Sequence, residues 1–119
     1  MPQTTYRDAI RDALREEMHR DPKVFIMGEE VGVWGGSYAV TRDLIKEFGA
    51  ERVRDTPISE GVIVGAATGA AMAGLRPVAE LMTVNFGLLA SDMLINHAAK
   101  MHYMFAGQIK VPLVVRTVG

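Results

Sequence analysis

Cysteine is absent from the 119 residues, which excludes both a disulfide framework and a thiolate metal site. Aromatic residues are scarce, 7% against 49% hydrophobic residues in all, so any core must be built from Ala, Val, Leu, Ile and Met. An excess of one charge is missing too. The formal net charge is −1, and with no basic run present a nucleic-acid partner is not expected. No apolar run approaches the roughly 18–20 residues of a membrane span, and Met1 to Arg20 is too charged for a signal peptide. A membrane partner is therefore not expected either, and the composition fits a cytoplasmic protein. The Gly-rich stretch Gly32 to Ser37 lacks the Gly-x-x-x-x-Gly-Lys-Ser spacing of a phosphate-binding loop. Internal repeats, low-complexity segments and linkers are likewise absent, and the length allows one domain at most.

What is present alternates between helical and strand patterns. Tyr6, Ile10, Leu14 and Met18 recur every fourth position, which predicts a helix over 4–20 capped by Thr4 or Thr5 and ended by Asp21-Pro22. Val24-Phe25-Ile26-Met27 is a continuous apolar run of strand length, suited to a parallel sheet covered on both faces. Gly28-Glu29-Glu30-Val31 follows at the carboxyl end of that strand, where open α/β sheets place their ligands. Trp34 is expected to anchor the Gly-rich loop. A helix is predicted from Thr41 to Phe48 with Gly49 as its C-cap, then a short strand over Arg52–Thr56. Strands are also expected at Val78–Met82 and Val111–Thr117. Between them, Phe86–Met104 reads as one long helix whose apolar positions wrap most of its circumference, implying burial on more than one side. The alternation predicts an α/β domain with a parallel sheet. The chain ends directly after its last strand, which reads as an interrupted domain.

The central stretch is Thr56-Pro57-Ile58-Ser59-Glu60. Ser59 is a natural N-cap, its hydroxyl suited to accept a first-turn N–H. Glu60 falls in that first turn, where the helix dipole favours a carboxylate. No charged residue then follows until Arg76. Gly61, Gly65 and Gly69 recur at four-residue spacing, although each weakens a helix by roughly 1 kcal/mol relative to alanine. That register implies a neighbour pressed close to the helix backbone. On these facts Glu60 is either an ordinary helix-start carboxylate or a functional one. His97 and His102 stand five apart, which is not the spacing of a shared metal face, and with His19 they read as surface or interface histidines.

Thr-Pro-Ile-Ser-Glu, with Glu-x-x-x-x-Gly-Ala-x-x-Gly from Glu60 to Gly69, resembles the cofactor-glutamate motif of thiamine-diphosphate enzymes. More narrowly, the chain is similar to the beta subunit of thiamine-dependent 2-oxo-acid dehydrogenases of the pyruvate dehydrogenase type. Gly28-Glu29-Glu30-Val31, Ala73-Gly74-Leu75-Arg76-Pro77, Glu80 to Phe86, Ala98-Ala99-Lys100, Tyr103-Met104 and Val111 to Thr117 follow in the family's order, so the resemblance covers essentially the whole chain. It implies a three-layer thiamine-diphosphate-binding α/β fold with a mainly parallel sheet, here a truncated pyrimidine-binding domain spanning 1–119 and incomplete at its C-terminal end.

The resemblance further implies that Glu60 is the catalytic glutamate, hydrogen-bonded to the aminopyrimidine ring in a dry, low-dielectric setting. Phe86 matches the aromatic on which the pyrimidine stacks, Met82 a residue lining the same pocket, and Glu29 a second carboxylate near the cofactor. Without the resemblance, Phe86 and Met82 read as core at a strand–helix junction and Glu29 as a loop acid; Thr83 and Asn85 are weaker candidates. No metal ligand is assigned. Magnesium is expected on a partner alpha subunit, because the Gly-Asp-Gly…Asn motif that holds it in this family is missing here. The other implied partners are a second beta subunit and a lipoyl acyltransferase, with a mitochondrial matrix location in a eukaryote. The expected reaction is oxidative decarboxylation with acyl transfer to lipoyl groups, the fragment alone being inactive. Acetoin or branched-chain 2-oxo-acid dehydrogenases, a transketolase-like enzyme and a silent truncated interaction domain are the alternatives. Gly61, Met93 and Val118 depart from the family pattern, where a larger residue, Gln and Pro are usual.

Overall fold

A computed structural model describes residues 3–119. The expected domain span of 1–119 also takes in Met1 and Pro2, which lie outside the described residues. The first helix, α1 (Tyr6–Arg20), starts where Thr5 Oγ1 accepts the Asp8 N–H at 3.1 Å. It leads into β1 (Val24–Gly28), every residue of which is buried. After a long loop come α2 (Leu44–Phe48), β2 (Val53–Asp55), α3 (Glu60–Met72) and β3 (Arg76–Glu80). An irregular helical segment over 84–98 runs into α4 (Ala99–Met104), and β4 (Val114–Arg116) is the last strand.

All three strand pairings are parallel, in the order β2-β1-β3-β4. Alternation along β1 sends Phe25 and Met27 to one face, where they pack with Ile63, Val64 and Ala67 of α3. Val24 and Ile26 go to the other, against Met18 of α1 and Leu44 of α2. Helices cover both faces, so the fold is a three-layer α/β arrangement. This is why β1 is apolar at successive positions rather than at alternate ones. Arg52 locks β1 to α1: its guanidinium donates to the carbonyls of Met18, Asp21 and Val24 at 2.5–3.0 Å.

Several local expectations give way to tertiary structure. The helix predicted from Thr41 begins only at Leu44, because Asp43 adopts a left-handed conformation (φ 66). Thr41 instead turns its hydroxyl onto the Val31 carbonyl at 2.6 Å. Ser59 stands at the N-cap of α3, but its side chain makes no capping hydrogen bond. The third strand begins at Arg76 rather than Val78; Pro77, which cannot donate to a ladder, is tolerated at the strand's opening. The fourth strand is confined to Val114–Arg116.

The long helix is not one regular α-helix. It is 3₁₀ over Val84–Ala90, α for the two residues 91–92, π over Met93–Ala98 and α again from Ala99. A count of apolar positions does not separate these closely related windings, whose hydrogen bonds reach three, four or five residues. This segment does press on α3: a Cβ at Gly65 would lie 3.1 Å from Met93 Sδ, and one at Gly61 3.5 Å from the Leu89 carbonyl, whereas Gly69 meets nothing. Its outer face is bare. Leu88, Leu89, Ile95, Tyr103, Met104 and Phe105 are exposed, contrary to the expected burial on more than one side. Trp34 is 72% exposed and anchors nothing; backbone hydrogen bonds hold its loop instead. Tyr6 is also exposed, so the packed stripe of α1 begins farther along.

So much uncovered apolar surface on one segment exceeds what a soluble monomer ordinarily shows. The isolated chain is expected to self-associate, with a light-scattering mass that rises with concentration. A concentration-independent monomer mass would contradict this.

Candidate functional site

Because the strands run in the same direction, their carboxyl ends share one edge of the sheet. There the chain leaves β1 at Glu29, leaves β2 toward Glu60, and leaves β3 toward Met82 and Phe86. The Thr56 N–H donates to the Gly28 carbonyl at 2.9 Å. This bond extends the β1–β2 pairing to the base of the turn that delivers Glu60.

Glu60, the first residue of α3, is 5% exposed, and Glu29 is 6% exposed. Two carboxylates are thus removed from water on the same edge. Glu29 Oε1 has no hydrogen-bond partner. Burial, then the charges of Glu60 and Glu30, push the Glu29 carboxyl above its ordinary value of 4.5. That coupling brings the first two sequence-derived candidates into one electrostatic neighbourhood. The arrangement can hold and share a proton, or accept donors from a bound ligand.

Met82 is half-buried immediately beyond β3, its carbonyl accepting the Ser37 hydroxyl at 3.1 Å. Phe86 lies in the 3₁₀ turn that packs on α3 and keeps 38% of its surface exposed. Ile58 and Val62, which flank Glu60 in sequence, are also exposed. Thr83 and Asn85 bond to each other at 3.1 Å. A groove of about 950 Å³ runs between α1 and the β4 side of the sheet and includes none of Glu29, Glu60, Met82 or Phe86. Among the described residues no group of three or more His, Asp or Glu side chains is arranged to hold a metal ion.

Sequence reasoning missed the supports of this edge. Glu80, 2% exposed at the end of β3, forms a charge pair with Arg116 of β4 and accepts the Ser37 N–H at 3.1 Å. Burial pushes its carboxyl up, while Arg116 and the Ser37 amide pull it back. Asp55, at the end of β2, accepts the Gly32 and Val33 amides at 2.6 and 3.2 Å. The only available signal was an acid at or near the end of each of the first three predicted strands. Backbone amides from a distant loop cannot be assigned to such acids from spacing.

The chain matches the family described as transketolase, pyrimidine binding domain, over residues 2–119. It is 55% identical over 114 residues to the pyruvate dehydrogenase E1 component subunit beta of Rickettsia bellii (strain RML369-C), covering 96% of this chain and 35% of that protein. Mitochondrial subunit beta-1 of Arabidopsis thaliana is 56% identical over 112 residues, 94% of this chain and 31% of that protein. The subunit beta of Rhizobium meliloti (strain 1021) is 53% identical over 116 residues, 98% of this chain and 25% of that protein. The chain therefore spans about a third or less of the length of these curated relatives.

The raised Glu29 carboxyl has a consequence for stability. The folded chain binds that proton more tightly than the unfolded chain does. Its contribution is therefore fully present below the ordinary value of 4.5 and is lost as pH rises through the folded value. Glu29→Gln removes this term. In urea unfolding, the variant is expected to lose less stability than wild type between pH 4.5 and about pH 7. A residual slope from Glu80, shifted in the same direction, should remain. Parallel curves for the two proteins would contradict the assignment.

Proposed function

The chain belongs to the transketolase pyrimidine-binding domain family, and on that premise we propose that it forms the pyrimidine-binding half of a thiamine diphosphate site in a pyruvate-type 2-oxo-acid dehydrogenase beta subunit. The observation that carries this reading is the pair of buried acids at the carboxyl edge, Glu60 in the cofactor-glutamate motif and Glu29 with an unpartnered oxygen. These residues fit the cofactor's aminopyrimidine, which presents ring nitrogens and an exocyclic amine to a carboxyl group. Burial of Glu60 at the start of a helix without charged side chains other than its own supplies the dry setting. When bound, thiamine diphosphate supplies the carbon nucleophile for decarboxylating the 2-oxo acid and passing its acyl group to a lipoyl group.

The protein's own groups bind and orient. Glu60 holds a proton against the pyrimidine ring nitrogen. Glu29 keeps a second acidic oxygen in the same pocket, Phe86 offers its ring face, and Met82 lines the adjoining wall. The exposed surface of Phe86, together with exposed Ile58, Val62 and Leu89, fits a site completed by another chain. That chain is the alpha subunit, with the magnesium ion and the diphosphate on its side. A second beta subunit and the lipoyl acyltransferase complete the proposed assembly, located in the cytoplasm of a bacterium or in a mitochondrial matrix. Acetoin or branched-chain 2-oxo acids would use the same chemistry.

A second reading, an interaction domain without activity, draws on the bare apolar face of 84–105. Glu60→Gln in the complex with an alpha subunit separates the two. Loss of a proton-holding group is expected to lower turnover by roughly 100-fold or more, with assembly unchanged. Unaltered turnover would remove Glu60 from catalysis.

A further inference from the structure

The segment joining β1 to α2 begins at Glu29 and crosses the same edge of the sheet. It is held in a conformation that its sequence does not favour. Glu30, Tyr38, Ala39 and Asp43 all have left-handed φ, between 54 and 66. Each such non-glycine residue is strained and persists only where surrounding contacts impose it. The contacts here are specific. Asp55 at the end of β2 accepts both the Gly32 and Val33 amides. Glu80 at the end of β3 accepts the Ser37 amide and pairs with Arg116. Arg11 of α1 donates to the Ala39 and Val40 carbonyls at 2.6 and 2.9 Å.

The approach at Glu80 is close. A Cβ at Gly36 would lie 2.5 Å from Glu80 Oε1, and one at Gly28 would lie 2.6 Å from the Glu80 carbonyl. The loop backbone is therefore pressed against a carboxylate on one flank and hydrogen-bonded to another on the other. Glu29 is the residue between the end of β1 and this strapped segment. Its side chain is buried, yet Oε1 makes no hydrogen bond. Nothing in its own bonding explains why Glu29 stays turned in beside Glu60. The strap does.

We infer that Asp55 and Glu80 are positioning residues: they clamp the segment 30–41 across the ends of β2 and β3 and so hold Glu29 buried against Glu60. This deepens the functional reading above and rests on it for its relevance to a cofactor, but not for its mechanics. The groups facing Glu29 are Glu60 on α3 and Glu30 on the loop. Releasing the clamp should let Glu29 swing toward water and away from both.

The test is cofactor-free and uses the whole chain. Asp55 is exposed, so Asp55→Ala leaves the core intact; Asp55→Asn removes the same charge but keeps one acceptor oxygen. Amide exchange at Gly32 and Val33 is expected to accelerate at least about tenfold in Asp55→Ala relative to α3. The carbon-13 titration midpoint of the Glu29 carboxyl should fall toward its ordinary value, farther in Asp55→Ala than in Asp55→Asn. Equal falls would assign the effect to charge alone and overturn the clamp, as would unchanged exchange or an unmoved midpoint. Glu80→Ala, which removes the acceptor for the Ser37 amide, should shift the Glu29 midpoint in the same direction. A midpoint at the wild-type position would remove Glu80 from the clamp. Failure of thiamine diphosphate to bind would overturn the functional reading and leave these outcomes as they stand.

Discussion

Parallel pairing of four strands constrains everything else in this molecule. The register that sets Ile26 opposite Val53 and Val78, and Val78 opposite Val114, leaves the carboxyl ends of the strands at one edge. Each β-to-α connection must leave from that edge, and each leaves with an acid: Glu29 after β1, Asp55 and then Glu60 after β2, Glu80 at the end of β3. Concentrating these acids is unfavourable by itself, since like charges in a poorly solvated place repel. The fold meets the cost unevenly. Asp55 and Glu80 are given amide donors, and Glu80 a guanidinium. Glu29 is left with a raised affinity for its proton and an oxygen without a partner.

That unevenness separates support from function. An acid engaged by loop amides or by a guanidinium has spent its capacity on the fold. One left unsatisfied at the carboxyl edge of a parallel sheet retains capacity for a ligand. Asp55 and Glu80 belong to the first kind and Glu29 to the second. Glu60 joins Glu29 through burial and through its charge, which helps to raise the Glu29 carboxyl, at the head of an otherwise uncharged helix. The bare face over 84–105 continues the same logic at larger scale, presenting apolar surface that no described part of this chain covers.

The architecture was legible in the sequence where one physical signal dominated. Val24 to Met27 reads as a strand suited to a sheet covered on both faces, and the uncharged run after Glu60 as a closely packed helix. Glu29 could be placed on the carboxyl edge because the end of the preceding strand fixes its backbone position, while Glu60, Met82 and Phe86 were singled out by the resemblance. Legibility failed where a distant partner decides the local conformation. Thr41 looks like a helix start, but the Val31 carbonyl takes its hydroxyl. Ser59 occupies the cap position without capping. Trp34 was read as an anchor because a large side chain in a loop usually finds a pocket, yet here it points outward while Asp55 and Glu80 hold the loop through its backbone. The helical segment after Phe86 conceals three changes of winding that a hydrophobic pattern does not encode.

The central claim is that this edge is one half of a thiamine diphosphate site. The most direct measurement is a calorimetric titration of thiamine diphosphate with magnesium into this chain, alone and then with an alpha subunit from a related pyruvate dehydrogenase. The account predicts heat of binding only when both chains are present, because the pyrimidine side lies here and the diphosphate side on the partner. No binding by a complex shown to have formed would contradict it, and would leave the chain as an interaction surface without a cofactor.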